Sequence, residues 1–137
     1  MNMTVEQTQD KVPVTILGLH GDLDASNYQE VIGKAQAIYN AGARHLLVDM
    51  SGVPFMGSSG LVALHSLAML MRGDRPPDPE SGWDAIHAID RDRERGMQKY
   101  IKLLSPQPQV DRVLDRTGLK QFFEIHTDRQ RAIASFG

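Results

Sequence analysis

Apolar positions along the chain follow two rhythms, every second residue in some stretches and every third or fourth in others, and their order predicts the architecture. Val12 to His20 carries Val14, Ile16, Leu17 and Leu19 and reads as a strand. Met3 to Gln7 is a weaker strand candidate, and the turn-like Gln9, Asp10 and Lys11 between the two predict a hairpin. Gly21-Asp22-Leu23-Asp24 then breaks the strand. Asp24 or Ser26 is placed to cap a helix whose apolar positions Tyr28, Val31, Ala35 and Ile38 have helical spacing. Asn40-Ala41-Gly42 ends that helix, glycine being suited to the left-handed backbone past a helix C-terminus.

The centre of the chain is the stretch from Leu46 to Met71. Leu46 to Met50 reads as a buried strand, a turn rich in Gly and Ser follows, and a helix is predicted from Ser58 to Met71. Ser58 and Ser59 therefore fall at a helix N-terminus, where unpaired N–H groups and the helix dipole favour negative charge. A serine there can act as a cap, a nucleophile or a phosphate acceptor. His65 and Ser66 are the only strongly polar residues of this helix after its first turn, so it has almost no solvated face. Such a helix is either buried all round, which is hard to arrange in a small chain, or offers an apolar surface to another segment or molecule.

Arg72 to Glu80 contains three prolines and is predicted to be irregular. Ser81 to Met97 has room for an extra helix with Trp83, Ile86 and Ile89 roughly on one side, and the lone tryptophan is expected to anchor this insert on the central helix near Leu64, Leu67 and Met71. Its far half, Asp90 to Arg95, alternates acid and base and reads as a solvated face with weak ion pairs. Tyr100 to Leu104 is a short strand. Val110 to Thr117 forms a helix closed by Gly118, Phe122 to His126 a last strand, and Asp128 caps a terminal helix that turns Ala132, Ile133 and Phe136 inward. A hairpin followed by repeated αβ units predicts an α/β fold with a mixed sheet of about five strands, the later ones parallel, and about four helices plus an insertion at about 72–99.

Composition narrows the functions open to this pattern. The 137 residues are the size of one domain. A formal charge of -2, with no separate Lys/Arg cluster, argues against nucleic-acid binding. There is no cysteine, and His20, His45, His65, His87 and His126 are scattered without the spacing of a local metal site, so strand packing or surface positions explain them better. No metal and no cofactor are expected. The N-terminal segment is polar and no run approaches the ~20 apolar residues that span a bilayer, so a cytoplasmic protein without membrane attachment is expected.

The residues of three segments resemble a known family, the STAS domain of anti-sigma factor antagonists. Gly21-Asp22-Leu23-Asp24 is similar to the signature between the family's second strand and first helix. Asp49-Met50-Ser51-Gly52-Val53-Pro54-Phe55-Met56-Gly57-Ser58-Ser59-Gly60-Leu61 is similar to its central motif almost throughout. Arg116-Thr117-Gly118-Leu119 followed by Phe122-Phe123-Glu124-Ile125 is similar to its last helix-to-strand passage. The resemblance covers nearly everything except Arg72 to Lys99, so a single STAS domain over 1–137 with that insertion is implied.

The resemblance also implies a function. The first serine of the motif, Ser58 here, corresponds to the residue phosphorylated by a partner that is both serine kinase and anti-sigma factor. The unmodified domain binds that partner and frees the sigma factor. Gly57, Ser58, Ser59, Gly60, Leu61 and Leu64, with Asp22 and Asp24, are the implied partner-binding residues, none of them catalytic. The family usually has aspartate where this chain has Gly57, so an alternative is a STAS scaffold or ligand-sensing module that is not phosphorylated. An enzymatic alternative, a serine hydrolase, lacks the G-x-S-x-G elbow, because Leu61 or Met56 stands where a glycine is required, and no His/Asp pair is marked out as base and orienter. A third possibility is Ser58 as an ordinary helix cap. The sequence specifies no oligomeric state.

Overall fold

The computed structural model describes residues 1–76, 82–92 and 97–137, and of 82–86 the backbone alone. Along the chain lie β1 (Asn2–Gln9), β2 (Pro13–His20), α1 (Tyr28–Asn40), β3 (Leu46–Gly52), α2 (Ser58–Met71), α3 (Gly82–Asp92), β4 (Ile101–Leu104), α4 (Pro108–Arg116), a 3-10 turn (Leu119–Gln121), β5 (Glu124–His126) and α5 (Arg129–Ala134). The strands form one mixed sheet in the order β1-β2-β3-β4-β5. The β1–β2 hairpin is antiparallel, and β2–β3, β3–β4 and β4–β5 are parallel. The expected hairpin and crossover pattern therefore holds.

Alternation along the central strands divides the core in two. Leu17 and Leu19 of β2, Leu46, Val48 and Met50 of β3, and Ile101 and Leu103 of β4 face the layer that holds α1, α2 and α4. Val14, Ile16, Leu47 and Leu104 point the other way, onto Ala132 and Ile133 of α5 and Phe136 just beyond it. A two-residue period on strands covered on both faces produces this split, and it is why these strands read as nearly continuous apolar runs. Asp128 caps α5 as expected, its carboxylate accepting from the Arg131 N–H at 3.0 Å.

The expected caps of α1 do not form. Asn27 occupies the N-cap position, while the Asp24 carboxylate accepts from the Ser26 N–H at 2.9 Å and the Ser26 hydroxyl at 2.6 Å. Three short polar side chains at 24, 26 and 27 compete for one role, and Asp24 is used in a local turn before the helix begins. The last strand is also shorter than its apolar pattern. Phe122 and Phe123 precede β5, stack edge to face at 5.0 Å, and are both buried. Gly118, at φ 78°, turns the chain into the 3-10 segment and aims both rings at the core before pairing begins.

The uniform apolarity of α2 has its cause in its surroundings. It lies over the sheet with α1 on one side and α3 on the other, and nine of its fourteen residues are buried. Small size does not prevent this, because the insert supplies the cover: Ala88 and Ile89 of α3 are 5% and 8% exposed. The expected anchoring by Trp83 lies outside the described side chains. The solvated-face expectation for the charge run fails at Asp92, which is 9% exposed and lies against α2; residues 93–95 fall outside the description. His65 departs from the strand or surface role expected for the histidines, being on a helix and 1% exposed.

Candidate functional site

Two sequence segments far apart in the chain close around the start of α2. The Gly21 N–H donates to the Gly52 carbonyl at 2.9 Å, Leu23 N–H to Phe55 O at 3.0 Å and Gly57 N–H to Leu23 O at 2.9 Å. An isolated parallel bridge joins Leu23 to Met56. The 21–24 segment thus extends the β2–β3 pairing past the ends of the strands, and it brings Asp22 and Asp24 beside the loop that leads to Ser58. From the other side, Gln109 of α4 clasps Met56, accepting from its N–H at 2.8 Å and donating to its carbonyl at 3.3 Å. Gln107 donates to Ser51 O at 2.7 Å. These two glutamines were not foreseen. Each acts more than 50 residues from its partner, and no local pattern marks a side chain that clasps a distant loop.

This framework presents the hydroxyls. Gly57 is the N-cap residue and contributes no side-chain cap; Ser58 is the first helical residue, so the capping role considered for it does not arise. Ser58 is exposed, Ser59 and Leu61 are half-buried, and among the described residues no group hydrogen-bonds the Ser58 hydroxyl. Gly57 has φ -89° and ψ -177°, an extended conformation open to any residue. Its replacement of the usual aspartate therefore does not reflect a backbone that only glycine can adopt. Gly60 is different. A Cβ there would lie 2.3 Å from Met56 Cγ and 3.1 Å from Leu23 Cγ, so its absence lets the first turn of α2 sit down on the loop. Gly60 is buried and Leu64 is 0% exposed, so both support this surface from beneath instead of forming it.

The charged groups near α2 are arranged by burial. His65 Nε2 lies 2.7 Å from Asp92 Oδ2, and Arg72 donates to the same oxygen at 2.7 Å and to Asp74 at 2.5 Å. Burial holds the His65 imidazole below its usual pKa, outweighing the opposing hydrogen bond and charge of Asp92, so it is neutral and donates its Nε2 proton. For Asp92 burial pushes upward, but hydrogen bonds from Arg72 and His65 and the Arg72 charge prevail, and the carboxyl stays below its usual range. Asp24 is also held low, by the Ser26 hydroxyl and N–H. His65 is no general base for Ser58: seven residues along one helix separate them by about 10 Å, and its Nε2 is committed to Asp92. Among the described residues no group of His, Cys, Asp and Glu is placed to hold a metal, and no helix is long and apolar enough to cross a membrane.

A family model for the STAS domain matches residues 3–73, which contain both the 21–24 segment and the entire Ser58 loop. The chain belongs to the STAS domain family. No curated protein sequence matches this STAS domain. Its fold is similar to that of a candidate anti-sigma factor antagonist from Thermotoga maritima, with a TM-score of 0.69 and 20% identity over 96% of this chain and 91% of that one. An anti-sigma factor antagonist from Mycobacterium paratuberculosis gives 0.65 at 16% identity, covering 98% and 93%. The Bacillus cell fate determinant SpoIIAA in its phosphorylated form gives 0.54 at 16%, covering 96% of both chains. At such identities the likeness is one of fold. The STAS match ends where the insert begins, so α3 lies outside the matched segment.

Proposed function

We propose that this STAS domain is an anti-sigma factor antagonist that binds an anti-sigma factor with serine kinase activity and is switched off by phosphorylation at Ser58. The observation that carries this reading is the state of Ser58: an exposed hydroxyl without a partner among the described residues, at the first position of a fourteen-residue helix. A phosphate there adds about -1.5 to -2 charge where the helix dipole favours it, so the fold tolerates the modification. The surface does not. An interface closing over Ser58 would bury a near-dianion at a cost of several kcal/mol unless cations met it, and about 1.4 kcal/mol is tenfold in affinity. The contact surface on this reading is Gly57, Ser58, Ser59 and Leu61, flanked by Asp22 and Asp24, with Gly60 and Leu64 beneath.

Intact-mass measurement after incubation with the candidate kinase and ATP tests the switch. The expected result is one added phosphate on the wild type and none on Ser58→Ala. A modified Ala variant, or an unmodified wild type with an active kinase, removes it. Ser58→Asp should fold normally and bind the unphosphorylated-state partner at least tenfold more weakly. Full affinity in Ser58→Asp favours the alternative of a scaffold or ligand-sensing STAS module, which the missing aspartate at position 57 also favours.

A further inference from the structure

The surface that carries Ser58 runs directly into a cavity of about 200 Å³. Among the described residues its walls come from three places: Ser58, Leu61 and Val62 of α2, Ile89 and Asp90 of α3, and the segment after α4 at Thr117 and Leu119. We propose that this cavity receives one apolar side chain, of the size of Leu, Met or Phe, from the protein that engages Ser58, which makes α3 a specificity-determining wall of the interface. The proposal rests on the reading of Ser58 as the partner's target.

Chemistry and size select this occupant. Leu61, Val62, Ile89 and Leu119 supply the apolar walls, and Ile89 and Leu119 are 8% and 1% exposed, so they are fixed parts of the core and not mobile surface chains. Of the polar groups, the Thr117 hydroxyl is committed to the Val113 carbonyl at 2.8 Å, while Ser58 and Asp90 are exposed positions at the rim. Among the described residues nothing inside offers the convergent polar contacts that a small polar ligand requires. A cavity of roughly 150 Å³ is enough for benzene, so this one has room for one ring or branched chain. Because Ser58 is itself part of the rim, a protein docked on Ser58 also covers the opening.

The cavity is preformed because α3 is locked in place. Asp92, two residues beyond Asp90, is bound by His65 and Arg72 of the α2 region, and Ile89 is packed on α2. A rigid apolar socket is the setting in which one anchor residue contributes most to binding, since little ordering cost remains. Neither α3 nor the 117–119 segment lies within residues 3–73, so a partner that reads this socket reads features outside the matched segment of the domain.

Two measurements test the proposal. In the first, without any partner, N-acetylphenylalaninamide is titrated into the labelled protein at millimolar concentrations. Amide shifts confined to Leu61, Val62, Ile89 and Leu119, and absent in Val62→Phe, are expected; no shifts, or shifts that persist in Val62→Phe, overturn the socket whatever Ser58 does. In the second, binding of the Ser58 kinase is measured for Val62→Phe and for the rim variant Asp90→Lys, both checked by thermal melting. A tenfold or greater loss in Val62→Phe, or in Asp90→Lys should Val62→Phe fold poorly, is expected. Unchanged affinity overturns the inference while leaving the Ser58 switch intact, whereas sensitivity to these variants with full binding by Ser58→Asp overturns the switch and keeps the socket.

Discussion

Replacing Asp92 by alanine tests whether the insert is integral to this fold or merely laid upon it. The carboxylate accepts hydrogen bonds at 2.7 Å from His65 and Arg72, and the three side chains are 12%, 2% and 14% exposed respectively. A hydrogen bond involving a charged group is worth about 1.5–3 kcal/mol in place, and an orphaned buried donor costs about 1–3 kcal/mol. The two losses are unequal. Arg72 keeps Asp74, which is 48% exposed, so much of its share is recovered at the water boundary. Among the described residues His65 has no such escape. Against this, removing an acid from the last turn of α3 relieves an unfavourable dipole contact worth about 0.3–1 kcal/mol. The net expectation is a loss of about 2–3 kcal/mol in urea unfolding, with amide exchange in α3 accelerated more than in β3. Adding His65→Leu removes the orphaned donor, so the double variant should be less destabilised than the sum of the singles by about 1 kcal/mol or more. A cost below about 0.5 kcal/mol for Asp92→Ala, together with additivity, would refute the claim that this cluster holds α3 on α2.

Three further outcomes follow from the same structure. Gly57→Asp should stabilise the fold by a few tenths to about 1 kcal/mol, because the backbone is extended, the nearest atom to a new Cβ is Phe55 Cε1 at 3.8 Å, and an N-cap carboxylate meets unpaired N–H groups; it should also raise the rate of Ser58 phosphorylation, and a lower melting temperature would contradict the local geometry. Gly118→Ala should cost about 1–2 kcal/mol in chemical denaturation, since φ is 78° there, with Gly118→Asn milder. Acidification should weaken the protein in a window set by His65. Its pKa is lowered in the fold from 6.5, so its contribution is complete above that value and is lost as pH falls through the lower folded value; Asp92 adds a second loss below 3.8. The difference between wild type and His65→Leu in unfolding free energy should therefore shrink as pH drops below 6.5, and a difference that is flat with pH removes His65 as the titrating group.

What the sequence made legible was whatever is decided locally. The bounds of α2 coincide with an apolar run that begins after a glycine and ends at Arg72; Asp128 stands three residues before the N–H it caps; Gly42 and Gly118, both at positive φ, mark helix ends. Choices between neighbours were less legible, as in the capping of α1, where Asp24, Ser26 and Asn27 differ by geometry that none of them reveals. The start of β5 was hidden because Phe122 and Phe123 are apolar for burial ahead of the strand, and period cannot separate these causes over so few residues.

Long-range polar contacts left no trace at all, and this bears on how Ser58 is read. The alternation of signs from Asp90 onward resembles a solvated helix because intrahelical pairs and solvent account for it completely. Only the fold reveals that Asp92 meets His65, a residue 27 positions away in the most apolar helix of the chain. The histidine is thus not a stray polar group in a core. It is the buried half of the contact that positions α3, and α3 in turn walls one side of the cavity at Ser58. The family motif ends at Leu61, yet the geometry around its serine depends on Asp92 and on Gln109, one from the insert and one from the start of α4. A partner that docks on Ser58 must therefore fit surfaces supplied by three separate stretches of chain, and grafting the central motif alone onto another STAS domain should transfer the exposed serine without transferring partner choice.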